Sequence, residues 1–578
     1  MSLFRDLLIE KKRKPYYCEV EYLEGTGTQY IDTGLDYFAD FEIGIKLRQS
    51  VSNKALGNGA FYCMQRYNQA NPYWYFSIGT GTSNSYITST PITEHHVMKW
   101  KDNKIYADDV LLTEFTKDSN PSNRMYLYSA DGGNKYPNMI YFCKLWEPNS
   151  GLLVRDFIPV LDFSLKPCMY DKISGRLFYN QNTSGDDFSY GREIHYVDYL
   201  ESTGTQYIDT GIVGDLSTEI NCEAAIVEAG NASVTNIMGN NVTSSRAITI
   251  NMSANIANPS PSRIRFGNTD NTTVAGAINL NTFYKYNTNK DKLTVKDTNN
   301  TVLNTYEFNA TTAFTTNGNI LIYKLGDTST QYIGKIKVSR ASIKNSGALV
   351  RDYKPAIDEN GVGYMFDRVT HTIYDNAGTG LFKYPAREVE YIQSTGTQYI
   401  DTGIQPTDTY GYRIKNTYTA GQGEQCAIGC MDSGNRFVGV YTSGSANAVS
   451  GAWGDYVGFL PSYTWTTGTI LDVKCNYKNS RKIIIDNTEM KDISDVHITG
   501  TISNSIYIGA RHYGSNVTKM QGKIYSAEIT NNTDTIADFI PTLQDGQAGM
   551  LDKQNNVFYS NAGTGTFTTG KIVESRWF

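Results

Sequence analysis

Three aspartates occupy the same position of a nine-residue motif that occurs three times without change. The motif is Thr-Gly-Thr-Gln-Tyr-Ile-Asp-Thr-Gly, and its aspartates are Asp32, Asp209 and Asp401. Each carboxylate could serve a calcium or sugar site, but calcium takes about six to eight oxygen ligands and each copy supplies one carboxylate. Asp-Thr-Gly after a strand is also typical of a turn in which the aspartate accepts backbone hydrogen bonds. We therefore predict a structural role for these residues, with calcium as the open alternative and no other metal or cofactor.

A glycosidase needs two carboxylates on either side of the scissile bond, about 5–5.5 Å apart in retaining enzymes. The nearest arrangement is the cluster Glu19, Glu21 and Glu24. Residues i and i+2 share a face of a strand, so Glu21 and Glu24, three apart, face opposite sides. The third copy has Gln393 in place of Glu24. No histidine recurs between copies either, so we predict that the protein is not an enzyme.

Carbohydrate binding without catalysis needs aromatic rings that stack on sugar C–H groups. Two aromatic clusters, in the first and third copies, diverge most between the copies, as recognition loops do on a fixed scaffold. The candidate carbohydrate-binding residues are Tyr73, Trp74, Tyr75, Trp453, Tyr456 and Trp465. In a strand Tyr73 and Tyr75 share one face and Trp74 takes the other, so we expect part of each cluster to be core.

The motif divides the 578 residues into three copies of one module, because its starts lie 177 and 192 residues apart. This period is too long for a solenoid, in which each unit needs its neighbours to bury its apolar face. We predict a segment at 1–17, modules at 18–192, 193–386 and 387–570, and a tail at 571–578. Junctions without a Ser/Pro/Gly linker indicate limited freedom between neighbours.

The composition favours β-structure in every module. The chain has 43 Tyr and 51 Gly, and residues 41–47 alternate between apolar and polar, as a half-buried strand does. We expect the motif to form a turn between a strand and its return strand. Many short strands with turns between them predict an all-β antiparallel sandwich, and at this length a jelly roll.

The first residues differ from the rest. Leu3, Phe4, Leu7 and Leu8 fall on one face of a short helix that Pro15 ends. A helix this short is marginal alone, so we predict that its apolar face anchors the chain to a larger assembly.

Taken together, the opening Glu-Tyr-Leu-Glu-Ser-Thr-Gly-Thr-Gln-Tyr-Ile-Asp-Thr-Gly and the closing Val-Arg-Asp-Phe-Ile-Pro-Val and Met-Tyr-Asp-Lys resemble a known family. The family that they resemble is that of the concanavalin A-like (laminin-G-like) jelly-roll modules of gut-bacterial phages and prophages. The resemblance covers nearly all of the chain after residue 17. It implies three tandem concanavalin A-like jelly rolls after a short N-terminal helix. It also implies a virion structural protein, as a capsid fibre, capsid decoration or tail-fibre component with lectin-like modules.

The expected partners follow from this resemblance and from the charge. We expect other virion proteins at the N-terminal segment, and host-surface or mucin glycans on the modules, in a virion made in the bacterial cytoplasm. A homo-oligomer stays open. The formal net charge of −6 argues against nucleic acid, and no apolar run is long enough for a membrane span. An exported bacterial adhesin or lectin is the alternative, and a polysaccharide depolymerase is a weaker one.

Overall fold

The computed structural model contains two compact units, one of residues 1–382 with 574–578 and one of residues 383–573. The first unit holds the first two copies of the module, called here the first and second repeats, and the second unit holds the third repeat. The structure describes residues 14–37, 39–47, 53–57, 61–66, 73–78, 83–87, 94–114, 123–129, 132–133, 135, 137–228, 234–240, 246–253, 264–271, 278–325, 335–419, 423–432, 436–442, 448–454, 456–514 and 516–574. The predicted N-terminal helix, with Leu3, Phe4, Leu7 and Leu8, lies outside these residues.

The first repeat consists of short strands joined by turns. They are β1 (Cys18–Val20), β2 (Leu23–Glu24), β3 (Ile31–Asp32), β4 (Asp40–Leu47), β5 (Asn53–Gly57), β6 (Phe61–Arg66), β7 (Tyr73–Ile78), β8 (Ser83–Ile87), β9 (His96–Lys101), β10 (Lys104–Ala107), β11 (Val110–Glu114), β12 (Tyr126–Leu127), β13 (Asn138–Trp146), β14 (Leu153–Leu161), β15 (Pro167–Asp171), β16 (Arg176–Phe178) and β17 (Ser189–Tyr190). Six of them, in the order β3-β12-β5-β6-β7-β8, form a smaller sheet, and the others belong to a larger one.

The second repeat follows the same plan. Its strands are β18 (Glu193–Tyr196), β19 (Leu200–Thr203), β20 (Ile208–Asp215), β21 (Thr218–Glu228), β22 (Val234–Asn240), β23 (Ala247–Ser253), β24 (Ile264–Gly267), β25 (Thr269–Asn271), β26 (Tyr284–Thr288), β27 (Lys292–Lys296), β28 (Val302–Glu307), β29 (Thr315–Ile322), β30 (Lys335–Asn345), β31 (Ala348–Ile357), β32 (Gly363–Asp367) and β33 (Thr372–Tyr374). The smaller sheet has the order β20-β29-β22-β23-β24-β25.

The third repeat adds a single 3-10 turn, Tyr477–Asn479, and the described residues contain no α-helix or membrane-spanning helix. Its strands are β34 (Arg387–Glu388), β35 (Ile392–Thr395), β36 (Ile400–Asp401), β37 (Tyr410–Tyr418), β38 (Gln425–Met431), β39 (Phe437–Thr442), β40 (Ala448–Gly454), β41 (Tyr456–Thr464), β42 (Leu471–Cys475), β43 (Lys482–Ile485), β44 (Thr488–Asp492), β45 (Tyr507–Ile508), β46 (Ala510–Tyr513), β47 (Asn516–Lys519), β48 (Gln521–Asn531), β49 (Asp534–Gln544), β50 (Gln547–Asp552), β51 (Val557–Tyr559) and β52 (Thr568–Thr569). The all-β prediction is confirmed.

The same pairing pattern occurs in all three repeats. A long strand (β13, β30 or β48) pairs on one side with β4, β21 or β37 and on the other with β14, β31 or β49. In the first repeat the larger sheet contributes Ile43 and Trp100 to the core, and the smaller sheet contributes Leu56 and Trp74. Two sheets therefore enclose one apolar layer, which is the sandwich that the strand patterns predict.

The first two repeats share one sheet of 21 strands. Strand β1 lies between β14 of its own repeat and β18 of the next, and β18 in turn pairs with β31. The junction between these repeats is thus a continuous hydrogen-bonded ladder. Strand pairing connects these two repeats more closely than the surface contact that the sequence predicts.

The repeated motif carries the chain from one sheet to the other, and the predicted strand and return strand do not pair. Strand β2 pairs with β13 of the larger sheet, whereas β3 pairs with β12 of the smaller sheet. The other copies do the same, with β19 and β20 and with β35 and β36. Turn residues were recognised correctly, but a turn signal does not say which sheet receives the following strand.

A buried glutamine holds this crossing in each repeat. The side chains of Gln29, Gln206 and Gln398 are at most 3% exposed. Each Oε1 accepts the backbone N–H three residues earlier, at 2.8, 2.8 and 2.9 Å. Each Nε2 donates to a carbonyl at the far end of its repeat, at 3.0, 2.9 and 3.0 Å. The first glycine of each motif has φ of +102°, +105° or +102°, a conformation that explains why glycine stands there.

We expect Gln29→Ala to destabilise the first unit by about 1–3 kcal/mol, because the Thr26 N–H loses its buried acceptor and the closing segment loses a donor. Urea denaturation followed by circular dichroism measures this change. Gln181→Ala is the control, since the Gln181 side chain is exposed and its amide donates to the nearby Tyr179 carbonyl, while the backbone bond to Tyr30 is kept in the variant. Equal stability of the two variants would contradict the role given to Gln29.

Candidate functional site

The three repeated aspartates form the predicted turns. In each copy Oδ1 accepts the N–H of the glycine two residues later at 2.9 Å. The same oxygen of each also accepts a side-chain donor, from Arg124 at 2.7 Å, Asn319 at 2.9 Å and Ser505 at 2.7 Å. These partners are mainly donors, which hold a carboxylate in place, rather than further oxygen ligands for calcium. The predicted turn hydrogen bond is therefore present in all three copies.

The glutamate cluster of the first repeat is divided among different partners. Glu19 accepts hydrogen bonds from the hydroxyls of Tyr16 at 3.2 Å and Tyr196 at 3.0 Å. Glu24 accepts from Ser189 at 3.1 Å. Burial is the main cause that raises the pKa of Glu21. These contacts give the cluster a role in joining segments of the fold.

The tryptophans proposed for sugar stacking are core residues. Trp74 and Trp453 are 0% exposed and Trp465 is 3% exposed. The side chains of Tyr73, Tyr75 and Tyr456 lie outside the described residues. The sequence could not decide which face points inward, because residues 73–76 are aromatic on both faces of their strand. Carbohydrate binding by these two segments stays a prediction.

A different surface emerges from the strand register. In the larger sheet, three neighbouring strands of each repeat carry polar side chains on the outer face, and these side chains lie opposite one another across the strands. Along each strand they alternate with core residues such as Ile43, Cys222 and Ile414. These cross-strand sets are Lys144–Glu42–Lys99 in the first repeat, Ser342–Asn221–Asn287 in the second and Glu528–Arg413–Lys474 in the third. We call them the polar faces of the repeats. The strand pairing is the same in the three repeats, but the side chains of the three polar faces differ in their charges and hydrogen-bonding groups.

In the second repeat the polar face forms part of an open groove of about 810 Å³. Strands β21, β26, β27, β28 and β30 build it, and the alternation of buried and accessible residues along β21 shows why it is polar. Five cationic and two anionic side chains line it, a formal excess of three positive charges. They are Lys285, Lys292, Lys296, Arg340, Lys344, Glu219 and Glu223.

Glu219 organises one end of this groove. Its Oε1 accepts hydrogen bonds from Lys344 Nζ at 3.0 Å, Asn287 Nδ2 at 3.0 Å and Asn221 Nδ2 at 3.2 Å. Burial alone would raise the pKa of Glu219, but these donors outweigh it and the pKa lies below its usual value. The carboxylate is therefore ionised at neutral pH and fixes two amides and one ammonium group along the groove.

The polar faces of the other repeats are ion pairs. Glu42 accepts from Lys144 at 2.8 Å and pairs with Lys99 at 3.1 Å, which lowers its pKa although burial opposes the shift. Arg413 forms a two-pronged pair with Asp472, at 2.8 and 2.7 Å, and its hydrogen bond is the main cause that lowers the pKa of that aspartate. Pairing also occurs in the groove of the second repeat, where Arg340 contacts Asp352 at 3.0 and 3.2 Å and Lys344 contacts Glu219 at 3.0 Å. The groove differs from the other two faces in the further lysines that line it, Lys285, Lys292 and Lys296.

A cleft of about 1,420 Å³ lies beside the face of the first repeat and is completed by residues of the second, including Arg351 and Tyr374. His95 lines this cleft, with its ring 4.2 Å from that of Tyr141 between centroids. Burial lowers the pKa of His95 to about 4, Asp108 opposes the shift, and His96, Arg351 and Lys46 add to it. The imidazole is therefore neutral at pH 7.

Sequence reasoning missed the polar faces. Their signal was present as alternate polar residues along strands such as β21, but the same pattern occurs on every solvated sheet. Only the register shows that the sets from three distant segments are equivalent.

Comparison with solved structures gives laminin chains among the matches. The LG1-3 region of the laminin alpha2 chain aligns over 95% of this chain and 100% of its own length, with 8% identity and a TM-score of 0.26. Domains LG4-5 of the mouse laminin alpha1 chain align over 60% of this chain and 96% of their own, with 10% identity and a TM-score of 0.20. No family model matches the sequence. No curated protein matches it.

The prediction that the protein is not an enzyme is contradicted by a further match. A Trypanosoma rangeli sialidase in complex with 2,3-difluorosialic acid aligns over 85% of this chain and 92% of its own, with 8% identity and a TM-score of 0.20. The exclusion of catalysis is therefore withdrawn. A likeness this low assigns neither an activity nor a catalytic residue to the chain.

The depressed pKa of His95 predicts a loss of stability in acid. The unfolded chain takes up a proton near pH 6.5, whereas the folded protein does so only near pH 4, so stability falls as the pH drops through this window. Between pH 7 and pH 5 we expect His95 to account for a loss of up to roughly 2 kcal/mol. Urea denaturation of the wild type and of His95→Gln at both pH values measures this contribution. The same loss in both proteins would show that His95 titrates normally.

Proposed function

We propose that this protein binds carbohydrate, and that the groove of the second repeat holds glycans that carry carboxylate or sulfate groups. The observation that supports this function is the positive excess of the groove in a chain whose net charge is −6. A local field of opposite sign to the whole protein favours an anionic ligand at that place.

The side chains of the groove suit such a ligand. Ammonium and guanidinium groups form charge-assisted hydrogen bonds with carboxylate and sulfate oxygens. Asn221, Asn287 and Thr294 offer amide and hydroxyl groups that can donate to and accept from sugar hydroxyls. A volume of about 810 Å³ lies within the usual range for ligand sites, about 300–1,000 Å³.

The binding would depend on charge more than on stacking. Among the described residues that line the groove, only Tyr286 is aromatic, and it is 1% exposed and faces the core. Electrostatic contacts on an open surface are screened by salt. The proposal therefore implies modest affinity that falls with ionic strength.

We place this binding in a virion structural protein of three tandem concanavalin A-like jelly rolls, as a capsid fibre, capsid decoration or tail-fibre component. The motifs at the start and end of each repeat support this setting. The first residues would attach the chain to other virion proteins, and the repeats would meet host-surface or mucin glycans.

We expect Lys296→Glu to weaken binding of a polyuronate such as alginate roughly fivefold to tenfold, about 1–1.4 kcal/mol, because it reverses one charge in the groove. Isothermal titration calorimetry of the full chain at low and moderate salt measures this. Lys383→Glu is the matched control, since Lys383 is exposed and lies in the other unit. Equal losses in both variants, or equal binding of neutral dextran, would argue against the groove.

The anchoring role predicts a separate outcome for the first residues. Tyr16 and Tyr17 are buried in the folded unit, so a test must spare residues 14–17. We expect Leu7→Ser with Leu8→Ser to leave the circular dichroism spectrum unchanged but to reduce incorporation into particles strongly. Lys11→Ser with Lys12→Ser keeps the apolar residues and should be incorporated normally. Normal incorporation of the leucine variant would refute the anchor.

A further inference from the structure

Two paired strands bring a thiol, an imidazole and a carboxylate together in the first unit. Strand β1 pairs with β18 in a register that sets Glu19 opposite Ile194 and Val20 opposite Glu193. Continuing this antiparallel register by one residue places Cys18 opposite His195. Glu193 is two residues before His195, and the three side chains converge.

The repeat explains why these residues meet at this place. Cys18 and His195 are 177 residues apart, the spacing of the first two motif copies, so they occupy the same position of their repeats. Pairing of two equivalent strands sets equivalent positions side by side. The third repeat has Arg387 at this position and Pro385 in place of Glu193, so its sequence does not reproduce the cluster.

The cluster is compact and mostly buried. One ligand atom from each of Cys18, Glu193 and His195 lies within 4.8 Å of the others. Cys18 and His195 are 0% exposed. His195 Nε2 lies 2.9 Å from Glu193 Oε2, and His195 Nδ1 lies 2.8 Å from Oε1 of Glu574, which belongs to the same unit.

We propose that Cys18, His195 and Glu193 bind a zinc ion, with Glu574 as the carboxylate that orients the imidazole. Thiolate, imidazole and carboxylate are the ligand types that zinc takes in proteins. Bonds of about 2.0–2.2 Å to nitrogen and oxygen place neighbouring ligand atoms of a tetrahedron roughly 3.3 Å apart. The 2.9 Å between His195 Nε2 and Glu193 Oε2 is close to this spacing, and Cys18 Sγ lies within 4.8 Å of both atoms.

The charges of such a site balance. Zinc would displace the thiol proton of Cys18 and any proton on His195 Nε2, and both protons leave to solvent. The two charges of the ion are then matched by the thiolate and the Glu193 carboxylate. The Nδ1–H of His195 would donate to Glu574, which is the carboxylate–histidine arrangement that fixes ring orientation at zinc sites. The bound ion would clamp β1 to β18, the ladder that joins the first two repeats.

Cobalt(II) tests this site, because a thiolate ligand gives it a near-ultraviolet charge-transfer band. Titration of the reduced full chain with Co²⁺ should give a saturable band that Zn²⁺ abolishes, with a single ion bound per chain by mass spectrometry of the metal content. Cys18→Ser should lose the band. Cys168→Ser should keep it, because Cys168 is equally buried but belongs to no metal-ligand cluster among the described residues.

Two further variants keep the test decisive if Cys18→Ser folds poorly. Glu193→Gln removes a ligand charge, and Glu574→Gln removes the carboxylate behind His195. We expect the affinity for Zn²⁺ to fall about tenfold to hundredfold in Glu574→Gln, and at least as much in Glu193→Gln. Zn²⁺ should also raise the melting temperature of the wild type more than that of either variant. A chain that takes up no metal, or a band that survives Cys18→Ser, would overturn the proposal.

Discussion

Each repeat must lead its chain from the larger sheet to the smaller one at the start of the sandwich, and a buried glutamine amide holds that crossing. The amide of Gln206 binds the backbone N–H of Thr203 at the start of its repeat and the carbonyl of Leu381 at its end, two groups that are 178 residues apart. Because an unpaired amide would cost free energy in this enclosed place, its neighbours must keep their positions. This constraint explains why the motif is unchanged in three copies while the surrounding loops differ.

Because the backbone of each repeat is held in this way, the side chains on the outer face of the larger sheet can differ between repeats. The central strands keep one register in all three repeats, and their inward residues keep the core apolar. The outward sets carry lysine and glutamate in the first repeat, serine and two asparagines in the second, and glutamate, arginine and lysine in the third. In the described part of the second repeat, five cationic and two anionic side chains line one groove. Function in such a protein can therefore differ between repeats without any change of fold.

The junction of the first two repeats contains a strand pairing and a side-chain cluster that a single repeat does not contain. Strand β18 opens the second repeat, yet it completes the ladder beside β1 of the first. The pairing of two related strands places Cys18 against His195, which no single repeat could do. A polar cluster enclosed in such a seam restricts how the two repeats can pair, since a shift by one residue would move every side chain to the other face.

The sequence by itself determined the triplication, the all-β class and the structural use of Asp32, because identical motifs and local turn chemistry are readable along the chain. It also located β4 within one residue, since the alternation over residues 41–47 is a local signal. The tertiary structure decided which aromatic face is buried and placed Trp74 in the core. It also decided that the motif crosses between sheets and which distant polar residues share a face. These facts depend on register and on pairing between segments more than a hundred residues apart, and no local pattern specifies them.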